Sequence, residues 1–158
     1  PKAAELDMSE YDFTVSLRIR HPRMDPAVIT ATLGMTPQHT WRAGDPRCDP
    51  AGTAVGGQHR ESYWMASLMD EPQLSSDEMS VERVLLRTLT QLRRAQDFLE
   101  QLSSAGGAAE LHVSLYAREV VRLELSADSL AWLGRLGLAI GIEVHAHAPL
   151  NAPGSKAN

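Results

Sequence analysis

The sequence predicts an α+β domain, a ferredoxin-like open-faced two-layer α/β sandwich with a mixed or antiparallel sheet and its helices on one face. Three observations predict it. Several segments alternate apolar and polar residues with period 2, as half-buried strands do, and others repeat apolar residues at three-, four- and seven-residue spacings, as amphipathic helices do. None of the strand-like segments is a continuous apolar run, which a sheet covered on both faces would require. At 158 residues, with 43% hydrophobic and 22% charged residues, the chain holds one well-cored domain and is too short for two comfortable ones.

Residues 1–10 are small or polar and form a flexible lead-in, and the domain runs over 11–148. Tyr11, Phe13, Val15, Leu17 and Ile19 alternate with Asp12, Thr14, Ser16, Arg18 and Arg20, so the first strand sets one face on a core and keeps the other polar. Asp25 caps the next helix, with Pro26 at the first helical position, where its missing N–H costs nothing. Gly34 stops that helix and Thr36-Pro37 turns the chain. Residues 44–58, rich in Gly, Pro, Asp and Ala, read as a long loop; loops beyond about 12 to 15 residues are usually functional or mobile. Residues 60–68, carrying Tyr63, Trp64, Met65 and Leu68, form a second strand, and 71–79 loop over to the longest helix. That helix starts near Ser80, carries Val81, Leu85, Leu89, Leu92 and Leu99 on one stripe and ends at Gly106-Gly107. Arg87, Arg93, Arg94 and Glu100 ride its outer side.

Leu111, Val113 and Leu115 alternate with His112, Ser114 and Tyr116, and beyond a turn at Arg118-Glu119 the residues Val121, Leu123 and Leu125 alternate with Arg122 and Glu124. The pattern predicts a hairpin. Ser126 caps a helix bearing Leu130, Trp132 and Leu133 that Gly137 ends, and a last strand sets Ile140, Ile142 and Val144 against Gly141, Glu143, His145 and His147. Residues 149–158 form a disordered tail. The order strand, capped helix, Leu-Gly stop occurs from Ile19 to Gly34 and again from Leu123 to Gly137. Two such strand-helix-strand units, each crossing over onto one sheet, give the sandwich. The expected core is Phe13, Val15, Leu17, Ile19, Leu89, Leu92, Val113, Leu123, Leu133, Ile142 and Val144.

Charge and composition narrow the function classes. A net charge of -5 with both signs interspersed argues against a general nucleic-acid binder, which needs a basic surface. The exposed set also lacks the interleaved aromatics of an RNA-binding sheet. The single cysteine, Cys48, excludes an intrachain disulfide framework and a multi-thiolate zinc site, and fits a reducing compartment. Residues 1–7 carry Lys2, Glu5 and Asp7 with no apolar leader, and no apolar run reaches the roughly 20 residues of a membrane span, so the expectation is a cytoplasmic protein off the membrane. Gly56-Gly57 lacks the strand and helix that would make it a phosphate loop.

Two constellations carry the candidate chemistry. Glu143, His145 and His147 alternate along one strand and share a row, a start for a metal site to which His112 could add a fourth group. Trp41, Arg42, Asp45 and Trp64 bracket the base of the long loop. Two tryptophans there fix the loop by burial while Asp45 accepts local amides, or Trp41 and Arg42 wall a pocket in which the Arg42 fork meets a carboxylate or phosphate. Cys48 has His39 and His59 near it in sequence, but no signature links them into a nucleophilic pair.

Leu33-Gly34, Thr36-Pro37, Trp41, Gly44-Asp45 and Trp64, set behind His21 and Asp25-Pro26, together with Leu136-Gly137-Leu138 and Glu143-Val144, resemble the bacterial family known as domain of unknown function 4279. The resemblance spans about residues 11–147 and implies a small cytoplasmic bacterial α/β domain with no established chemistry and no cofactor to carry over. Small immunity and partner-binding domains offer an analogy at the level of fold alone. The leading expectation is a non-enzymatic binding module for a protein partner or small ligand, on the polar sheet face and the long loop. The alternative is a metal-assisted hydrolase, and the third reading is a homodimer through a sheet edge or the polar face.

Overall fold

A computed structural model describes residues 10–146; the lead-in before Glu10, the tail over 149–158 and His147 lie outside the described residues. The first strand, β1 (Asp12–His21), buries every second residue, from Phe13 to His21. Asp25 caps α1 (Pro26–Leu33) by accepting the Ala27 amide at 2.9 Å, and Gly34 ends it at φ 65°, where a side chain would be strained. Next come β2 (His39–Trp41), β3 (Pro46–Cys48), β4 (Ala54–Gln58), β5 (Ser62–Ser67) and β6 (Leu74–Ser75). The helical stretch is α2 (Val81–Leu92), one 3-10 turn over Arg93–Ala95, and α3 (Gln96–Ser104). The chain then closes with β7 (Ala108–Tyr116), α4 (Ala127–Arg135) and β8 (Leu138–His145).

Among the described residues a six-stranded sheet runs β2-β5-β1-β7-β8, with β6 beside β1 in line with β5. The architecture is α+β with a mixed sheet: β1 pairs antiparallel to β5 and to β7, and β7 parallel to β8. In register, Phe13, Val15, Leu17 and Ile19 stand opposite Leu115, Val113, Leu111 and Ala109, while Leu17 and Ile19 meet Ala66 and Trp64 on the other side. That row and the buried Ile29, Val84, Leu85, Leu89, Leu92, Leu99, Leu102 and Leu133 of the helices form one core, so the helices lie on this face. Each such side chain contributes roughly 1.5–3 kcal/mol by burial, far more than any exposed pair.

β1 and β2 are each antiparallel to β5 and so parallel to one another, joined through α1; β5 and β7 are each antiparallel to β1 and so parallel, joined through α2 and α3; and β7, α4 and β8 make a further parallel crossover. Three expectations change. Residues 44–58 are no plain loop but carry β3 and β4, a two-stranded antiparallel ribbon exposed along both strands. No hairpin follows β7, because β1 and β8 already occupy its two edges. Residues 121–125 instead belong to no strand or helix, with Val121, Leu123 and Leu125 half-buried against the core. Ile142 and Val144 face the helix side opposite Val113 and Leu115 yet are 49% and 64% exposed, since β8 is an edge strand and α4 shields only its beginning.

Candidate functional site

Among the described residues the opposite sheet face carries no helix, and the ladder register fixes what stands on it. β1 contributes Thr14, Ser16, Arg18 and Arg20, β5 contributes Tyr63, Met65 and Ser67, and β7 contributes Glu110, His112, Ser114 and Tyr116. Glu143 and His145 of β8 stand beside Ser114 and Tyr116. Here the polar groups bond one another. His112 is 9% exposed, with Nδ1 3.0 Å from Glu110 Oε1 and Nε2 3.2 Å from Glu143 Oε2. A doubly protonated ring donates to both carboxylates; a neutral ring serves one. Glu143 Oε1 lies 3.4 Å from His145 Nε2, and the His145 ring stacks on Tyr116 with centroids 4.8 Å apart. Gly141 makes room for this: a Cβ there would sit 2.7 Å from Glu110 Oε1 and 3.1 Å from His112 Nδ1. Arg18, opposite Glu110, keeps a buried Nε with no hydrogen-bond partner among the described residues.

At the far end of the sheet, Trp41 and Trp64 part company. Trp41 pairs with Tyr63 in the β2–β5 ladder, whereas Trp64 is the next residue along β5 and points into the core, fully buried, its Nε1–H donating to Thr30 Oγ1 at 3.0 Å. Trp64 therefore anchors α1 to the sheet. The Trp41 indole is stacked between the rings of His59 and Tyr63, both at 4.4 Å, and Arg20 lies 5.9 Å beyond the Tyr63 centroid. Asp45 accepts the Arg42 amide at 2.8 Å, and its own carbonyl accepts the His59 amide, which ties the base of the ribbon. The Arg42 guanidinium is 3.2 Å from Asp25. An open depression of 680 Å³ lies between this stack and the ribbon, lined by Pro22, Trp41, Arg47, Gln58, His59, Arg60 and Glu61.

The chain matches the family model described as domain of unknown function (DUF4279) over residues 9–147, nearly its whole length. It belongs to the DUF4279 family. No curated protein and no solved structure matches it significantly.

In this DUF4279 domain one member of the metal-ligating set expected from the sequence, His147, lies outside the described residues, while Glu143 bonds His112 and His145, and His112 also bonds Glu110. Among the described residues no group of three or more His, Cys, Asp or Glu is arranged to hold a metal ion. Cys48 is exposed on the ribbon, its Sγ 3.8 Å from the Pro46 carbonyl. No described helix is long and apolar enough to cross a membrane. Sequence reasoning missed Glu110, Tyr63 and His59. Glu110 was within reach, because extending the alternation of β7 back by one polar position puts it in the row of His112. The contacts of His59 with Trp41 had no signal, since the 17 residues of 42–58 separate them in the chain.

Proposed function

We propose that this DUF4279 domain is a non-enzymatic recognition module of a reducing, cytoplasmic compartment that seats a protein partner on the open sheet face, with the ribbon and the Trp41 stack at one end. The observation that carries this reading is the His112 ring clamped between Glu110 and Glu143 on a face that no described helix covers. Catalysis needs groups converging on a water-excluded cleft. Here Glu110, His112, Glu143 and His145 form a row across strands and bond one another, which leaves a surface of held side chains beside the small residues Thr14, Ser16, Ser67 and Ser114. Side chains already held in one rotamer lose little entropy when a partner docks, so such a surface binds at lower cost than a mobile one.

The test is cross-linked affinity capture with the untagged chain coupled to a support, comparing the native sequence with Ser16→Arg and Thr14→Arg. The expected result is one specific partner whose retention falls about tenfold or more in both variants, at unchanged thermal stability. Retention at the native level in both would overturn the reading. Metal analysis of the same untagged protein addresses the metal-assisted hydrolase, because stoichiometric zinc would replace the recognition module with that chemistry.

A further inference from the structure

We propose that two copies of this chain pair through the outer edges of their β8 strands, antiparallel and centred on Gly141, so that their sheets become one. β8 is the terminal strand: its inner edge lies on β7, and among the described residues no strand lies on its outer edge. A row of free backbone N–H and C=O groups is a template for another strand, and proteins blunt such edges with proline, lysine, bulges, shortness or a cover. Among the described residues β8 shows none of these. It runs eight residues, LAIGIEVH, without Pro or Lys, and pairs with β7 residue for residue with no register shift. The other edge, β2, is three residues long.

The helix-side row of β8 points to what covers it. Ile142 and Val144 stand opposite Val113 and Leu115, which are 0% and 2% exposed, yet are themselves 49% and 64% exposed. An apolar row thus runs out from beneath the helices to the edge. The strand is complementary to itself. Centred on Gly141, Ile142 of one copy meets Ile140 of the other and Val144 meets Leu138, so apolar residues oppose apolar ones throughout. On the open side Glu143 meets Ala139. A register centred on Glu143 would set two carboxylates face to face, which is unfavourable. Both ionisable side chains of β8 are drawn away from the edge, Glu143 to His112 and His145 to Tyr116. A twofold pairing of one patch with itself meets these conditions, as closed homodimers do.

The inference stands on the edge and not on the recognition reading, although a joined sheet would present two open faces as one. Sedimentation velocity over a concentration series would compare the native chain, Ile142→Lys and, as a control on the ribbon, Val55→Lys. The native chain and Val55→Lys should be dimeric, and Ile142→Lys monomeric with an unchanged far-ultraviolet spectrum. Should Ile142→Lys fail to fold, oxidation of a Cys48→Ser chain carrying Ala139→Cys and Glu143→Cys gives the answer, since the proposed register brings these cysteines together only between copies. A native monomer at all concentrations, a dimer that survives Ile142→Lys, or no covalent dimer from the paired cysteines overturns the proposal; none of these touches the capture result with Ser16→Arg.

Discussion

Glu82, in the first turn of α2, reaches across to the start of α4, where one carboxylate oxygen accepts the Ser126 amide and the Ser129 hydroxyl, both at 2.6 Å. Hydrogen bonding from Ser126 first, and then from Ser129, holds its carboxyl at about 2, below the ordinary 4.5. A folded value below the unfolded one contributes stability that is complete above the unfolded value and is lost as the pH falls from 4.5 toward 2. Glu82→Gln should therefore be less stable than the native chain in urea at about pH 6, with the gap closing on acidification through that window; a gap independent of pH would refute the role. Nothing in the sequence around Glu82 signals this, because its partners lie 44 and 47 residues away. The two tryptophans show the same limit from another side. Trp41 and Trp64 have equal claims in the sequence to a corner beside Gly44-Asp45, but the ladder pairs Trp41 with Tyr63, and one step along β5 turns Trp64 to the opposite face.

At the scale of elements, alternation tells which side chains turn inward, but it does not say whether a ladder partner exists. Residues 121–125 keep their pattern of half-buried Val121, Leu123 and Leu125 and still form no strand, since β7 has no free edge for them. The caps were legible because each is local: Asp25 to Ala27 and Ser126 to Ser129 are contacts within one turn. Turn-rich composition hid the ribbon, in which Gly56 at φ 85° and Gly57 at φ 75° make the register shift between β3 and β4 that no ordinary residue tolerates. Every residue of β3 and β4 is exposed, and the ties at the ribbon's base belong to Gly44, Asp45 and His59. Replacing residues 47–57 by an Asn-Gly turn should then change the unfolding free energy by less than about 1 kcal/mol. A loss of several kcal/mol in a urea titration would mean that the ribbon belongs to the folded core.

For the whole molecule, the sheet's two faces were legible from period 2 alone, while the strand order was not, because pairing depends on which edges remain free once the central strands are in place. β1 lies between β5 and β7, and β7 between β1 and β8, so both central strands have partners on each side and helices over one face. β8 has one partner and runs out from beneath α4, and the ribbon stands clear of the core. Amide exchange follows the free energy of the opening that exposes each hydrogen bond, with the most enclosed elements opening only in global unfolding. The slowest amides should thus be those of β1 and β7, followed by β5, with the ribbon fastest. β8 is the informative strand. In a monomer its outward amides face water and exchange quickly at every concentration, whereas edge pairing would bury them in a ladder and slow them as protein concentration rises, by mass action. Hydrogen-exchange mass spectrometry at two concentrations reads this directly: protection that grows over residues 138–145 and nowhere on the ribbon supports the joined sheet, and concentration-independent exchange across β8 leaves that edge unpaired in solution.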